Sequence, residues 1–166
     1  MELLRAPWRM GYITADRVEG CIFCVGDDAG ADRERLIIHR SQHTFVMLNL
    51  YPYTNGHLLA VPFRHTAELD HLTDPELLDF MKTVRLCRAV LAAASSPQGY
   101  NLGMNLGKAG GAGVDEHLHM HVVPRWNGDT NYMSVVAEVR VVPEALLVTY
   151  DRLRPLFDEI SSGGAV

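Results

Sequence analysis

The sequence predicts an α+β fold: an antiparallel sheet of about five strands, one long helix and a C-terminal helix. Three observations carry this reading. β-rich runs precede a single long helical pattern, and more strands follow it. Residues 74–94 repeat apolar side chains at helical spacing. Residues 100–107 and 117–124 alternate polar and apolar residues with period two.

The elements follow in order. Residues 1–20 mix aromatic, proline and charged residues without a period and read as an arm on the body. Residues 25–34 read as a loop, and strands are expected at 35–39, 43–50 and 57–63. The connection Tyr51 to Gly56 carries Pro52 and the turn pair Asn55-Gly56. Thr73 and Glu76 have capping-box spacing, with Pro75 just inside the helix start. Leu77, Phe80, Met81, Val84, Cys87 and Leu91 then form the apolar stripe, which makes Cys87 a small core residue. Ser95 to Gly99 ends the helix. Strands at 100–107 and 117–124 flank a glycine-rich loop from Gly107 to Gly113. A further strand is expected at 133–142 and the last helix at 143–160. There is no internal repeat. The expected organisation is one domain over 1–166: an arm at 1–20, a core at 21–126, and a strand and helix within 127–166.

Composition narrows the function. A chain of 166 residues that is 48% hydrophobic can build one real core. A net charge of −5 without a Lys/Arg run does not suit a duplex-DNA binder, so no nucleic-acid partner is expected. No apolar run approaches the roughly 20 residues of a membrane helix, so no membrane partner is expected either. Met1 to Arg5 lack the basic-then-apolar pattern of a secretory leader. The odd count of three cysteines argues against a disulfide framework, and the expected compartment is the cytoplasm.

The histidines are the informative residues. On a strand, His117, His119 and His121 share one face while Leu118, Met120 and Val122 face the core. Three imidazoles in a row have no packing rationale. They could hold a metal, or handle a phosphate with a nucleophile and donors. Asn101, Gly103, Asn105 and Gly107 should share a polar face opposite Leu102, Met104 and Leu106. If the two strands pair, Asn105 brings its amide beside the imidazoles. The loop offers Lys108 and the backbone N–H groups of Gly111 and Gly113 to phosphate oxygens. His39, His43 and His71 fall in no motif.

Residues 117–123 match every position of the pattern His-φ-His-φ-His-φ-φ, with φ apolar. Asn49 to His57, Pro62 to His65 and Asn105 to Gly113 add to the match. On these residues the chain resembles the histidine-triad family over roughly 20–126. It is most similar to the family's bacterial diadenosine-tetraphosphate phosphorylase-like branch, through Ala6 to Met10, Asn49 to Tyr53 and His121 to Asn131. The resemblance implies that His119 is a nucleophile forming an adenylyl-histidine, with His121 and His57 on the phosphates. It implies Asn49 at the ribose, Asn105 at a phosphate, and an apolar adenine pocket for which Phe45 and Leu48 are the guesses. It also implies a homodimer that joins two sheets.

Cys21 and Cys24 have metal-ligand spacing, and two thiolates need two further ligands for a closed tetrahedral site. His65 and His117 are candidates, and the resemblance implies a structural zinc on these four residues. His117 would then be structural, leaving His119 and His121 to the substrate. A plain pair of reduced thiols is the alternative.

The chemistry is coherent. Neutral imidazole is a nucleophile near pH 7, because its unperturbed pKa is about 6.5. In-line attack on phosphorus needs the non-bridging oxygens neutralised, and a covalent intermediate divides the displacement into two easier steps. Lys108 and Arg125 could hold the anionic acceptor. The leading expectation is cleavage of adenosine polyphosphates, with phosphorolysis of diadenosine tetraphosphate first. An adenosine phosphoramidase, a nucleotide-binding signalling module and a three-histidine metallohydrolase are the alternatives; the last leaves Cys21 and Cys24 without a role. No organic cofactor is expected, and a polyphosphate substrate could bring Mg²⁺ with it.

Overall fold

The computed structural model describes residues 20–129 and 144–163. Among these residues, five strands, β1 (Ile37–Arg40), β2 (Thr44–Leu48), β3 (Leu58–Pro62), β4 (Gly99–Gly103) and β5 (Met120–Arg125), form one sheet in the order β1-β2-β3-β5-β4. Every neighbouring pair is antiparallel. Helices α1 (Asp74–Ser95) and α2 (Leu146–Ser162) complete the expected α+β architecture. The arm expected over 1–20 and the strand over 133–142 lie outside the described residues, apart from Gly20.

Strand alternation divides the core in two. Val46, Leu48, Leu58, Ala60, Met120 and Val122 point toward the helices and pack with Phe80, Val84, Cys87 and Leu91 of α1 and Tyr150, Leu153 and Phe157 of α2. On the other face Phe45, Leu59 and Val61 pack with Ile37 and with Phe23 from the segment before β1. This second face carries the histidines, since His121 is opposite Leu59 in the ladder. Between β2 and β3 the chain reverses through Gly56 at φ +77, where a Cβ would meet Leu91 Cδ2 at 3.1 Å.

Three expectations are corrected. Met81 is 48% exposed rather than in the helix stripe. The buried surface of α1 instead extends to Thr83, Leu86 and Val90, because α2 packs along that side. The strand expected at 100–107 ends at Gly103, which pairs with His121, one residue from the start of β5. Asn105 and Gly107 therefore lie in the loop. Leu102 and Leu106 are 49% and 51% exposed: α1 packs chiefly on β2, β3 and β5 and meets β4 at Tyr100, whose hydroxyl donates to Arg88 O, while the other end of this edge strand is left open. Likewise β5 begins at Met120, so His117 and His119 precede it. The N–H of Leu118 is donated to Thr66 O at 2.7 Å rather than to a strand.

The start of α1 is anchored by Glu76. Its carboxylate accepts the Thr73 N–H at 2.8 Å and the Thr73 hydroxyl at 2.8 Å, and it pairs with Arg64 at 2.8 Å. The Thr73 amide first, and Arg64 second, hold this carboxyl at about 2 instead of 4.5. A folded pKa below the unfolded one adds stability that is present above pH 4.5 and lost as pH falls through about 2. Glu76→Ala is expected to cost about 1 kcal/mol at neutral pH. Its deficit against the parent, measured by urea unfolding, should shrink as pH drops from 4.5 toward 2.

Candidate active site

Backbone groups fix the imidazoles one by one. His57, immediately before β3, is fully buried. Its Nδ1 accepts the Tyr53 N–H at 3.1 Å, so the ring proton sits on Nε2. That Nε2–H donates to His121 Nδ1 at 2.9 Å. His121 must then carry its own proton on Nε2, which makes Nε2–H its donor toward a ligand. Asn49 adjoins the pair: its N–H donates to His57 O at 2.9 Å, its Nδ2 lies 3.3 Å from His57 Nδ1, and its Oδ1 accepts the Tyr51 N–H at 3.0 Å.

His119 is arranged in the opposite sense. Its Nδ1 lies 2.9 Å from the carbonyl of His117. A carbonyl only accepts, so Nδ1 carries the proton and Nε2 keeps its lone pair. The ring is 6% exposed and sits 5.1 Å from that of His121. Burial first, and the neighbouring His119 second, push His121 below the usual imidazole range and keep it neutral. The site thus presents one nucleophilic nitrogen beside one N–H donor.

His117 leaves this group. Its Nε2–H donates to Pro62 O at 2.8 Å, which frees Nδ1 to lie 3.2 Å from Cys21 Sγ and 3.9 Å from Cys24 Sγ. His65 Nδ1 is 3.2 Å from Cys24 Sγ. The four donor atoms all lie within 4.8 Å of one another. Ligand bonds of about 2.0–2.3 Å around a tetrahedral zinc give edges of roughly 3.5 Å, so the set fits that ion. Its charge chemistry fits too. Desolvation, then the adjacent Cys21 thiol and Glu116, push the Cys24 thiol up, which a cation would relieve. Burial, outweighing the Pro62 bond, keeps His117 below the usual range and neutral, as a ligand must be.

The remaining candidates are placed as follows. Asn105 Nδ2 donates to Gly111 O at 3.4 Å and so closes the glycine loop. Gly107 and Gly111 take φ values of +67 and +87 around a single 3-10 turn at Lys108–Gly110. The amides of Gly110, Gly111 and Ala112 are donated inside the loop, so the Gly111 N–H, expected for phosphate, serves the turn. Lys108 is exposed, 3.7 Å from Asp115. Around the Cβ position of Gly113 the space is open, as it is at Gly103 beside His121. Arg125 shares the face of His121 but lies four residues along β5. Its guanidinium makes a two-pronged pair with Asp129, at 2.6 and 2.7 Å, and donates to Asn101 Oδ1 at 2.7 Å. Phe45 and Leu48 cannot line one pocket, because Phe45 lies on the histidine face and Leu48 in the helix-side core.

Two side chains escaped the sequence reading. Tyr53 supplies the N–H that orders His57, and its half-exposed ring stacks on His121 at 5.8 Å. Phe23 packs against the rings of His119 and His117. The only sequence signals were an aromatic two residues before Asn55-Gly56 and an aromatic between the cysteines.

An open antiparallel sheet with ordered imidazoles on one face and helices on the other defines a histidine-triad protein. The sequence pattern of the HIT domain matches residues 31–128, and the chain belongs to that family. It is 42% identical over 154 residues to the AP-4-A phosphorylase of Mycobacterium tuberculosis, covering 88% of this chain and 79% of that protein. It is 34% identical over 91 residues to the bis(5'-adenosyl)-triphosphatase of Saccharomyces cerevisiae, covering 54% of this chain and 44% of that one. Among solved structures, a Zn-bound histidine triad family protein from Mycobacterium smegmatis superposes with a TM-score of 0.66 at 25% identity, over 87% of this chain and 97% of that chain.

The hydrogen bonds make a spectroscopic prediction. In two-bond ¹H–¹⁵N spectra near neutral pH, His119 should appear as the Nδ1–H form and His57 and His121 as Nε2–H forms. An Nε2–H signal for His119 would remove its lone pair from the reacting position.

Proposed function

We propose that the protein cleaves dinucleoside polyphosphates, diadenosine tetraphosphate foremost, by forming an adenylyl-histidine at His119 and passing the adenylyl group to inorganic phosphate. The observation that carries this reading is the buried His119 ring, whose Nδ1–H is tied to the His117 carbonyl and whose Nε2 lone pair is unprotonated. The two relatives named above, a phosphorylase and a triphosphatase of diadenosine compounds, support the substrate class.

The mechanism follows from the tautomers. His119 Nε2 attacks the α-phosphorus in line, an N–P bond forms, and the bridging P–O bond breaks with its electron pair on the departing ATP. The positive charge gained by the ring is stabilised by the His117 carbonyl at Nδ1–H. His121 Nε2–H donates to phosphate oxygen, and the bond from His57 keeps it in the donating tautomer. Asn49 serves the ribose, while Asn105, Lys108 and Gly113 border the polyphosphate. A phosphate oxygen then attacks the same phosphorus and expels His119 Nε2, giving ADP; water would give AMP. Arg125, held by Asp129 and Asn101, shapes the platform beyond His121.

Chromatography of products from diadenosine tetraphosphate tests the assignment. With millimolar phosphate, ADP and ATP are expected. AMP and ATP at a rate indifferent to phosphate would make the protein a hydrolase. His119→Asn should lower kcat on the order of 10⁴-fold and abolish the adenylyl-protein adduct in quenched mass spectra while leaving AMP binding intact.

The same reading includes a structural zinc on Cys21, Cys24, His65 and His117, supported by the donor geometry and by the zinc-bound relative. It would lock the chain around the site and supply no reacting atom. A thiolate site of this kind suits the reducing cytoplasm. A homodimer is supported by the free outer edge of β4, which edge-to-edge pairing of two sheets would satisfy, and by the exposed Leu102 on that strand and Leu106 just beyond it. Purified protein should contain one zinc per chain and scatter light as twice the 18.5 kDa chain. Zinc retained in Cys24→Ser, or a monomer at micromolar concentration, would refute the respective half.

A further inference from the structure

We propose that Phe23 is a positioning residue for the nucleophile and that the cluster of Cys21, Cys24, His65 and His117 holds it in place. The inference rests on the reading of His119 as the attacking group. One hydrogen bond sets which nitrogen of His119 is free, but the ring torsion of histidine is broad, so one bond does not fix where that nitrogen points. Two neighbouring rings limit the swing. Phe23 lies 4.9 Å from the His119 centroid at 48°, and His121 lies 5.1 Å away at 68°.

Phe23 is 3% exposed although it belongs to a short turn between two accessible thiols. The turn closes through Cys24 N–H to Cys21 O at 3.1 Å, which brings both thiols to one side and sends the ring inward. There its ring also meets the His117 ring edge-on at 5.7 Å. His117 gives the carbonyl that accepts from His119 and the Nδ1 that faces the thiols. Two of the three restraints on the nucleophile, the carbonyl and the Phe23 wall, therefore belong to a ligand or to the turn between two ligands. Closing the cluster around a divalent cation joins segments 96 residues apart in sequence and sets both restraints together. Phe23 also packs with Ile37, Phe45, Leu59 and Val61, so loss of stability alone would not distinguish positioning from packing.

The test compares zinc-loaded Phe23→Leu with the parent in kcat and KM for diadenosine tetraphosphate, in AMP affinity by calorimetry, and in the His119 two-bond ¹H–¹⁵N spectrum. A shift of a reacting nitrogen by about 1 Å lowers turnover by up to roughly 100-fold, so kcat should fall about 10–100-fold with KM and AMP affinity changed little. The His119 signal should move from a single Nδ1–H form toward an average of both forms. Removing zinc from the parent with a chelator should produce the same spectral change. Unchanged kcat and spectrum with a lower Tm would overturn the proposal in favour of packing. A raised KM with unchanged kcat would overturn it by making Phe23 a wall of the substrate pocket. Should Phe23→Leu not fold, the chelated parent decides: an unchanged His119 spectrum overturns the proposal. The spectrum needs no substrate, so it remains decisive even if the parent turns over no diadenosine tetraphosphate.

Discussion

The hydrogen bond from His119 Nδ1 to the carbonyl of His117 is the constraint on which the rest of the site depends. It joins two residues that are neighbours on one face of an extended chain, and it couples their roles. The carbonyl accepts a hydrogen bond from Nδ1–H and so keeps on that nitrogen a proton that could otherwise sit on either nitrogen of His119. The side chain of the same His117 turns away, donates to Pro62 and offers its second nitrogen to two thiols. One residue thus connects the His119 ring to the cluster of Cys21, Cys24 and His65.

A second chain of bonds runs the other way. From the Tyr53 amide through His57 to His121, each imidazole accepts at Nδ1 and donates at Nε2. The turn that begins this chain is tied down by hydrogen bonds from its side chains. Thr54 donates to Pro124 O at 2.9 Å, and Asn55 donates to Glu144 at 3.1 Å, which Arg152 of α2 pairs at 2.8 Å. The helix side of the sheet therefore contributes to imidazole order on the opposite side. Burial keeps His121 neutral, so it faces His119 as a hydrogen-bond donor and not as a cation.

Period-two alternation made the histidine face legible, because strand geometry sends every second residue to the same side. The same rule put Leu102 on the helix side, opposite Val122, but did not say that it would be exposed there. Alternation says which side a residue takes, but not whether a helix covers that side, and α1 meets β4 at Tyr100 without reaching over Leu102. It also carried Asn105 and Gly107 too far along a strand, since a strand lasts only while its partner does and β5 starts at Met120. Met81 fits the helix stripe by spacing, yet the position of α2 decided which edge of the stripe was buried.

Residue identity and spacing by themselves determined the α+β class, the long capped helix, the Cys-x-x-Cys pair and the three aligned histidines, because these depend on local geometry and side-chain chemistry. Spacing left open whether the three histidines act together, and the family resemblance pointed to His117 with Cys21, Cys24 and His65; only the tertiary structure showed what holds it there and keeps His119 with His121 and His57. That division is made by the carbonyls of Pro62 and His117 and the amide of Tyr53. Every residue type carries such groups, so no pattern of side chains reveals where folding will place them.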